Sequence, residues 1–479
     1  MNNFFNRFLY NAKYFPYHFL LFLFYFVLDG LTFFKHLVSI SSSLYLLVFL
    51  QSISLLTFYI FLKITKDIRK SGMITLSIEI SYLYFGVFYD NIRQIFREHI
   101  SYTFFVPIYL AIVLYIIYLL YKKNSSFNKS TYYLNCVCLF ILGYQFWPFF
   151  QSPSEKKFVF QNYELNPGNL KKLSDSSKPD IYFVVFDAYL NTTGLRERFQ
   201  YNNSDLDTFL AHKGFYVFSK TLSEYVFTQY SIASVFNMNL LDTATIHSQE
   251  NFNKSYATYI QLINRNPVLD ILQKEGYSIL NLSPFKIADI SPTFYQPLQP
   301  SNQNLLMEKS FFNKIRQDIT LEGFIIKHNL YFLYNFFEHP IKKYNDATLL
   351  ELQNIINKNL SHPKFTYAHF LMPHSPYFKD SCGNNVNPKY FLDDKYYLGY
   401  SVYCKTKIKE IVNLIQSKPN TAIILISDHG PHIDSKGIPD ISRKNLFSIY
   451  LPNKQYSELN DSLSIYNSFR ILFKNYFVN

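Results

Sequence analysis

The sequence predicts an N-terminal transmembrane α-helical bundle of about five helices, followed by a C-terminal α/β domain. In that domain a central, mostly parallel sheet is flanked by helices. Three observations carry this expectation. The first 150 of 479 residues hold five long apolar segments, at roughly 14–34, 43–63, 73–90, 103–121 and 133–150. Two short apolar runs, 181–186 and 421–426, are bounded by polar residues and read as buried strands. Helical and strand patterns alternate around them, the grammar of a doubly wound sheet.

The first, second and fourth apolar segments approach the ~20 residues needed to cross a bilayer. The third is short and carries Glu79, and the fifth contains Cys136, Cys138 and Trp147-Pro148. Positive charge orients the bundle. With a cytoplasmic N-terminus, the inside segments hold Arg7, Lys13, Lys63, Lys66, Arg69, Lys70, Lys122, Lys123 and Lys129, and the outside loops hold Lys35, Arg93 and Arg97. Nine against three obeys the positive-inside rule, and five spans then place everything after residue 150 outside the cytoplasm. The same basic residues account for most of the net charge of +12, so the basic balance does not point to nucleic acid.

The expected boundaries are 1–150 for the membrane part, 151–178 for a polar linker with Pro153 and Pro167, and 179–479 for the α/β domain. Within the last, 401–416 places Ile408, Ile411, Val412 and Ile415 on one helix face directly before the 421–426 strand. Residues 340–360 form another amphipathic helix pattern, followed by a strand-like 365–371. Cys136 and Cys138 read as packing residues. Cys382 and Cys404 fall where disulfides persist, and their pairing is open on spacing alone.

Chemistry concentrates in four places. Asp187 ends the first strand, and Ser427-Asp428-His429-Gly430 ends the 421–426 strand, where open α/β sheets place their ligands. Thr228 lies in Glu224-Tyr-Val-Phe-Thr-Gln-Tyr-Ser-Ile-Ala-Ser234, which reads as a loop entering a helix. His369 and His374 lie in Ala368-His-Phe-Leu-Met-Pro-His-Ser-Pro-Tyr377. Carboxylates and neutral imidazole are ordinary ligands of Zn²⁺, and of Mn²⁺ when oxygen dominates. A hydroxyl beside such an ion loses its proton more readily, which makes a helix-initiating Thr a credible nucleophile. The plainer readings are an N-cap for Asp428 or Thr228 and surface positions for His429 and His432. Ser231 and Ser234 lie further along the same helix as Thr228 and rival it.

Five ordered pieces resemble the membrane-anchored, sulfatase-like branch of the alkaline phosphatase superfamily, which includes lipoteichoic acid synthases and lipid A phosphoethanolamine transferases. They are Pro179-Asp-Ile-Tyr-Phe-Val-Val-Phe-Asp-Ala-Tyr189, Thr228-Gln-Tyr-Ser-Ile-Ala-Ser-Val-Phe-Asn-Met238, His369 through Tyr377, Ser427-Asp-His-Gly430 and Tyr466-Asn-Ser-Phe-Arg470-Ile-Leu-Phe473. The resemblance spans about residues 179–475 and implies an alkaline-phosphatase-like catalytic domain. It implies that Asp187, Thr228, Asp428 and His429 bind one divalent ion, Zn²⁺ or Mn²⁺, with Thr228 also the nucleophile. His374 would contact the transferred phosphoryl group or a second, weaker ion. His369 stays open between that role and a strand histidine hydrogen-bonded in the sheet. Arg470 reads as a structural ion-pair partner.

The chain lacks a Cys-x-Pro-x-Arg or Ser-x-Pro-x-Arg stretch, the site of formylglycine in true sulfatases, so sulfate-ester hydrolysis by that route is not expected. The implied function is transfer of a phospholipid headgroup phosphate, phosphoethanolamine- or phosphoglycerol-like, through phospho-threonine to a cell-envelope glycan or lipid. The alternatives are an envelope phosphodiesterase or phosphatase and, from another class, a non-catalytic membrane scaffold. The implied setting is a multi-pass protein of the plasma (inner) membrane with a periplasmic or extracellular catalytic domain.

Overall fold

The computed structural model describes residues 15–34, 38–96, 101–124, 126–150, 178–241, 258–294, 305–318, 330, 339–358, 360–457 and 459–477. The 151–178 linker expected from sequence lies, but for Lys178, outside the described residues. The chain divides into two compact units, one of residues 1–159 and 300–327, the other of 160–299 and 328–479.

All five apolar segments are helical in the first unit. Its helices are α1 (His18–Phe33), α2 (Ile40–Thr65), α3 (Ile68–Leu83), α4 (Phe85–Ile95), α5 (Tyr102–Lys122) and α6 (Asn128–Phe150). Ser39 caps α2 by accepting from the Ser42 N–H, and Asp67 caps α3 by accepting from Arg69 and Lys70. Among the described residues, α2 and α5 are each long and apolar enough to cross a membrane. The apolar stretch at 73–90 is a broken pair instead, α3 and α4 meeting at a 57° bend, and would make a third span only if counted as one. The α1 helix is apolar but short.

Residues 305–318 also pack into this helical unit. Leu306 and Met307 are buried with Leu23, Leu31, Leu47 and Leu83. Two glycines make room for the segment: a Cβ on Gly30 would stand 2.5 Å from Leu306 Cδ2, and one on Gly86 would stand 2.9 Å from the Lys309 carbonyl. Both Lys309 and Lys314 reach Asp90 at 2.8 Å.

The second unit is built on a six-stranded sheet in the order β2-β6-β5-β1-β4-β3. Its strands are β1 (Asp180–Phe186), β2 (Tyr216–Val217), β3 (Ser278–Leu282), β4 (Lys364–Phe370), β5 (Thr421–Ile426) and β6 (Phe447–Tyr450). The four strands β5, β1, β4 and β3 run parallel, and β6 and β2 close the edge antiparallel. This is the mostly parallel sheet the sequence predicts. Every residue of β4 and β5 is buried, as is every residue of β1 but its first. That explains why these strands read as continuous apolar runs and do not alternate.

Helices α7 (Thr192–Phe199), α8 (Ser204–His212), α9 (Thr228–Asn237) and α10 (Pro267–Lys274) belong to this unit. The short α11 (Phe311–Asp318) packs with the helical unit, its Phe311 ring 4.7 Å from that of Phe85. Then α12 (Pro340–Asn357), α13 (Tyr397–Gln416) and α14 (Ser468–Tyr476) complete the sheet unit. The expected α13 face, Ile408, Ile411, Val412 and Ile415, is buried in the core with Tyr182 and Val184 of β1 and Ile423 and Leu425 of β5. At about 1.5–3 kcal/mol for each large apolar side chain fully buried, this face fixes the helix on the sheet. Cys382 and Cys404 are free thiols, the first exposed and the second buried.

Candidate metal centre

Register decides where the chemistry falls. Val185 of β1 pairs with Ile426 of β5 on one side and with His369 of β4 on the other. The residues that follow the strand ends, Asp187 and Ser427-Asp428-His429, therefore emerge together at the carboxyl edge of the sheet.

The turn after β1 is held open toward β5. Ala188 adopts a left-handed backbone with φ 64°, and its N–H donates to Asp428 Oδ1 at 3.1 Å. Tyr397 braces the same turn from α13. Its hydroxyl accepts from the Leu190 N–H at 3.0 Å and donates to the Ala188 carbonyl at 2.9 Å. On the other side, Ser427 Oγ donates to the Tyr189 carbonyl at 2.6 Å. Gly430 is required by close approach: a Cβ there would lie 2.3 Å from the Ile441 carbonyl oxygen.

Asp187, Asp428 and His429 are all buried, with 1%, 0% and 2% exposure. One ligand atom from each lies within 4.8 Å of the others. His429 Nδ1 donates to its neighbour's carbonyl, Gly430 O, at 2.6 Å. That bond fixes the tautomer and leaves Nε2 to face the carboxylates. Nε2 stands 3.3 Å from Asp428 Oδ2 and 3.8 Å from Asp187 Oδ1. Among the described residues, both carboxylate oxygens of Asp187, Oδ2 of Asp428 and Nε2 of His369 have no hydrogen-bond partner. An unpaired buried carboxylate costs several kcal/mol. A divalent cation between two of them and an imidazole removes that penalty, so the donor set fits a metal ion.

Electrostatics agree with that fit. Burial alone would raise the Asp187 carboxyl, but the charges of His374, His429 and His369 outweigh it and hold the group below the usual carboxylate range. Burial works to lower the His429 imidazole, and the carboxylates of Asp428 and Asp187 overcome it and push the group above its ordinary value.

Thr228 is the first residue of α9, and its half-buried Oγ1 lies 3.3 Å from His429 Nε2. Its rivals point elsewhere. Ser231 Oγ contacts Ser223 Oγ at 3.2 Å and the Tyr225 carbonyl at 3.3 Å, and Ser234 Oγ donates to the Ser231 carbonyl at 2.7 Å. Ser223, which sequence reasoning did not single out, ties the loop before α9 to the strand end by donating to the Asp428 carbonyl at 2.6 Å. Nothing local marks such a residue, because its partner is 205 positions away.

His369 is fully buried on β4. Its Nε2 stands 3.9 Å from Asp187 Oδ2, beyond hydrogen-bond reach, and its Nδ1 lies 2.8 Å from the Tyr367 hydroxyl. His374 is partly exposed in the following loop, its Nδ1 2.5 Å from the Ser375 carbonyl, and its charge reaches Asp187. His432 is exposed, with its ring 5.1 Å from that of His429 and 5.4 Å from that of Phe227.

The family model described as Sulfatase matches residues 206–457. That stretch is more than half of the chain and carries Thr228, His369, His374, Asp428 and His429. The chain belongs to the sulfatase family. It is therefore an enzyme of the alkaline phosphatase superfamily, the group it resembles in sequence. Asp187 lies just before the stretch matched to the sulfatase family and joins the site through the register of β1.

Solved structures similar to this sulfatase-family chain include the zinc complex of the C-terminal periplasmic domain of EcEptC from Escherichia coli. It is 10% identical with a TM-score of 0.39, over 65% of this chain and 85% of that one. Others are the soluble domain of lipooligosaccharide phosphoethanolamine transferase A from Neisseria meningitidis (12%, 0.36, 64% and 90%) and the phosphonate monoester hydrolase of Agrobacterium radiobacter (11%, 0.38, 63% and 74%). No curated protein sequence matches the chain.

Proposed function

We propose that this sulfatase-family chain is a phosphoryl transferase that takes a headgroup phosphate from a membrane phospholipid and passes it to a cell-envelope acceptor through phospho-threonine. The observation that carries the reading is the contact between Thr228 Oγ1 and His429 Nε2, at 3.3 Å, beside carboxylates that have no other partner. Asp187, Asp428, His429 and Thr228 would hold one Zn²⁺ or Mn²⁺ ion, which when bound acts as a Lewis acid and favours the Thr228 alkoxide.

Thr228 loses its hydroxyl proton and its oxygen attacks phosphorus. The bond from phosphorus to the glyceride oxygen breaks, and that oxygen leaves as the alcohol after taking up a proton. An acceptor hydroxyl then attacks the phospho-threonine, loses its own proton and returns the Thr228 hydroxyl. His374, at the open side of the site, contacts the phosphoryl oxygens. His369, closed in by β4 and Tyr367, keeps its Nε2 toward Asp187 and steadies that carboxylate. The start of α9 adds the partial positive charge of a helix N-terminus beside the transferred group.

The absence of a formylglycine-forming stretch argues for phosphorus over sulfate as the reacting centre. The two apolar helices support a membrane-bound enzyme working on a lipid donor. The charge asymmetry of the helical part supports a cytoplasmic N-terminus and a catalytic unit on the periplasmic or extracellular side.

The test is turnover of labelled phospholipid by detergent-solubilised protein, with and without an envelope extract. A transferase consumes more than one equivalent of donor per enzyme only when the extract is present, and Thr228→Ala stops it. Headgroup release at the same rate without extract would make the enzyme a hydrolase, and full turnover by Thr228→Ala would remove the nucleophile from the account.

A further inference from the structure

We infer that His432 is a substrate-contacting residue of this site, donating a ring N–H to a non-bridging oxygen of the transferred phosphoryl group, with Phe227 as its positioning residue. The inference rests on the reading of Thr228 as the group that attacks phosphorus.

The His432 side chain is exposed, and one ring nitrogen is taken by the Val226 backbone, so the other is the one open to a ligand. The place of the ring is fixed. The imidazole packs at 5.1 Å and 51° on His429 and at 5.4 Å and 33° on Phe227. Phe227 is itself 43% exposed, although a large apolar ring, and it directly precedes Thr228. It also meets Tyr230 edge-on at 6.0 Å, which seats the ring on the first turn of α9. Two exposed rings are thus built onto the nucleophile's own helix start and onto a metal-type ligand.

Proximity follows from these contacts. A phosphorus in position for attack lies about 3–3.5 Å from Thr228 Oγ1, and that oxygen is 3.3 Å from His429 Nε2. An imidazole packed on His429 is then within reach of the phosphoryl oxygens. His432 also lies close enough to feel the charges of His429, His374 and Asp187, and both His432 and His374 are open to solvent. Two imidazoles, His374 and His432, stand on the open side of the site, whereas His429 is buried with Nδ1 on the Gly430 carbonyl and Nε2 toward the carboxylates. The carboxylates beside them, Asp187 and Asp428, are the pair whose free oxygens suit the ion. What remains for a ligand is a set of N–H donors, which suits an anion with several acceptor oxygens.

Phe227 sets the angle of the His432 ring and moves with Thr228, since the two are adjacent in the chain. His432 itself lies in the loop after β5, and its ring contact with Phe227 ties that loop to the helix start that carries the nucleophile.

The test uses full-length, metal-loaded protein in detergent, with inorganic phosphate as the probe and metal content measured in every variant. His432→Ala is expected to weaken phosphate binding about tenfold or more, the scale of one hydrogen bond to a charged group. His432→Gln keeps an N–H donor and is expected to recover most of that loss. Phe227→Leu is expected to fall between the wild type and His432→Ala. Phosphate affinity of His432→Ala within about twofold of wild type overturns the inference, as does equal weakening by Ala and Gln, and so does loss of metal from His432→Ala. Turnover by Thr228→Ala is read separately: full activity there removes the phospho-threonine reading, whereas the phosphate titration reports on His432 alone.

Discussion

The backbone N–H of Ala188 donates to Asp428 Oδ1 at 3.1 Å. This one bond spans 240 residues of sequence and joins the turn after β1 to the end of β5. It also divides the Asp428 carboxylate. Oδ1 is held by the protein, and Oδ2 is left facing His429 and Asp187.

Replacing Asp428 by Asn is therefore expected to keep the bond to Ala188 while removing the charge at Oδ2. Folding should persist and the metal should not. The expected result is a loss of metal affinity well beyond the roughly 10–100-fold that follows from changing an outer partner of a ligand. Elemental analysis of the purified protein, alongside circular dichroism, checks both halves.

Tyr397 gives a different signature. Its hydroxyl satisfies the Leu190 N–H and the Ala188 carbonyl inside a fully buried setting. Tyr397→Phe leaves both backbone groups without that partner, at about 1–3 kcal/mol for each buried group. The expected outcome is lower stability to urea, with weaker metal binding because the turn that carries Asp187 loses its brace. Denaturant titration of the metal-free and metal-loaded protein separates the two effects.

Gly430→Ala tests close packing. The added carbon would meet the Ile441 carbonyl at 2.3 Å, and backbone offers no flexible side chain to yield. Overpacking of this kind costs about 1–3 kcal/mol or more. A lowered thermal midpoint is expected, together with reduced metal content, since Gly430 adjoins His429.

Metal binding should depend on pH through His429. Its ordinary value is 6.5, and although burial opposes it, the charges of Asp428 and Asp187 raise it in the metal-free protein. Below that raised value the metal-free site retains a proton that an incoming ion must displace. Affinity is expected to rise with pH up to the raised value, with about one proton released from His429 per ion below it. Calorimetry in buffers of different ionisation enthalpy measures that proton. Metal-free stability has the opposite sign: the raised pKa adds stability that is complete below 6.5 and disappears as pH rises through the raised value.

The sheet and the meeting of the site residues were legible for a physical reason. Strands β1 and β5 are buried along nearly their whole length, so they stand out as short apolar runs, and Asp187 and Ser427-Asp428-His429 are the first polar residues beyond them. The α13 face was legible because Ile408, Ile411, Val412 and Ile415 repeat at helical spacing. Hydropathy reports composition and not direction, so it read 73–90 as one segment and missed the bend between α3 and α4. It also gave no hint that 305–318 packs against Gly30 and Gly86. Tyr397 and Ser223 were illegible because their partners are local to the fold and remote in sequence. His432 resembled any exposed histidine until its packing on His429 and Phe227 was known.

The central claim is that Thr228 becomes phosphorylated during turnover. The most direct measurement is mass spectrometry of the peptide containing Thr228, after acid quenching of metal-loaded protein mixed with phospholipid donor and no acceptor. The account predicts a headgroup-phosphate adduct on Thr228 that disappears when acceptor is added. Donor turnover with an unmodified Thr228, or an adduct on Ser231 or Ser234 instead, would contradict it.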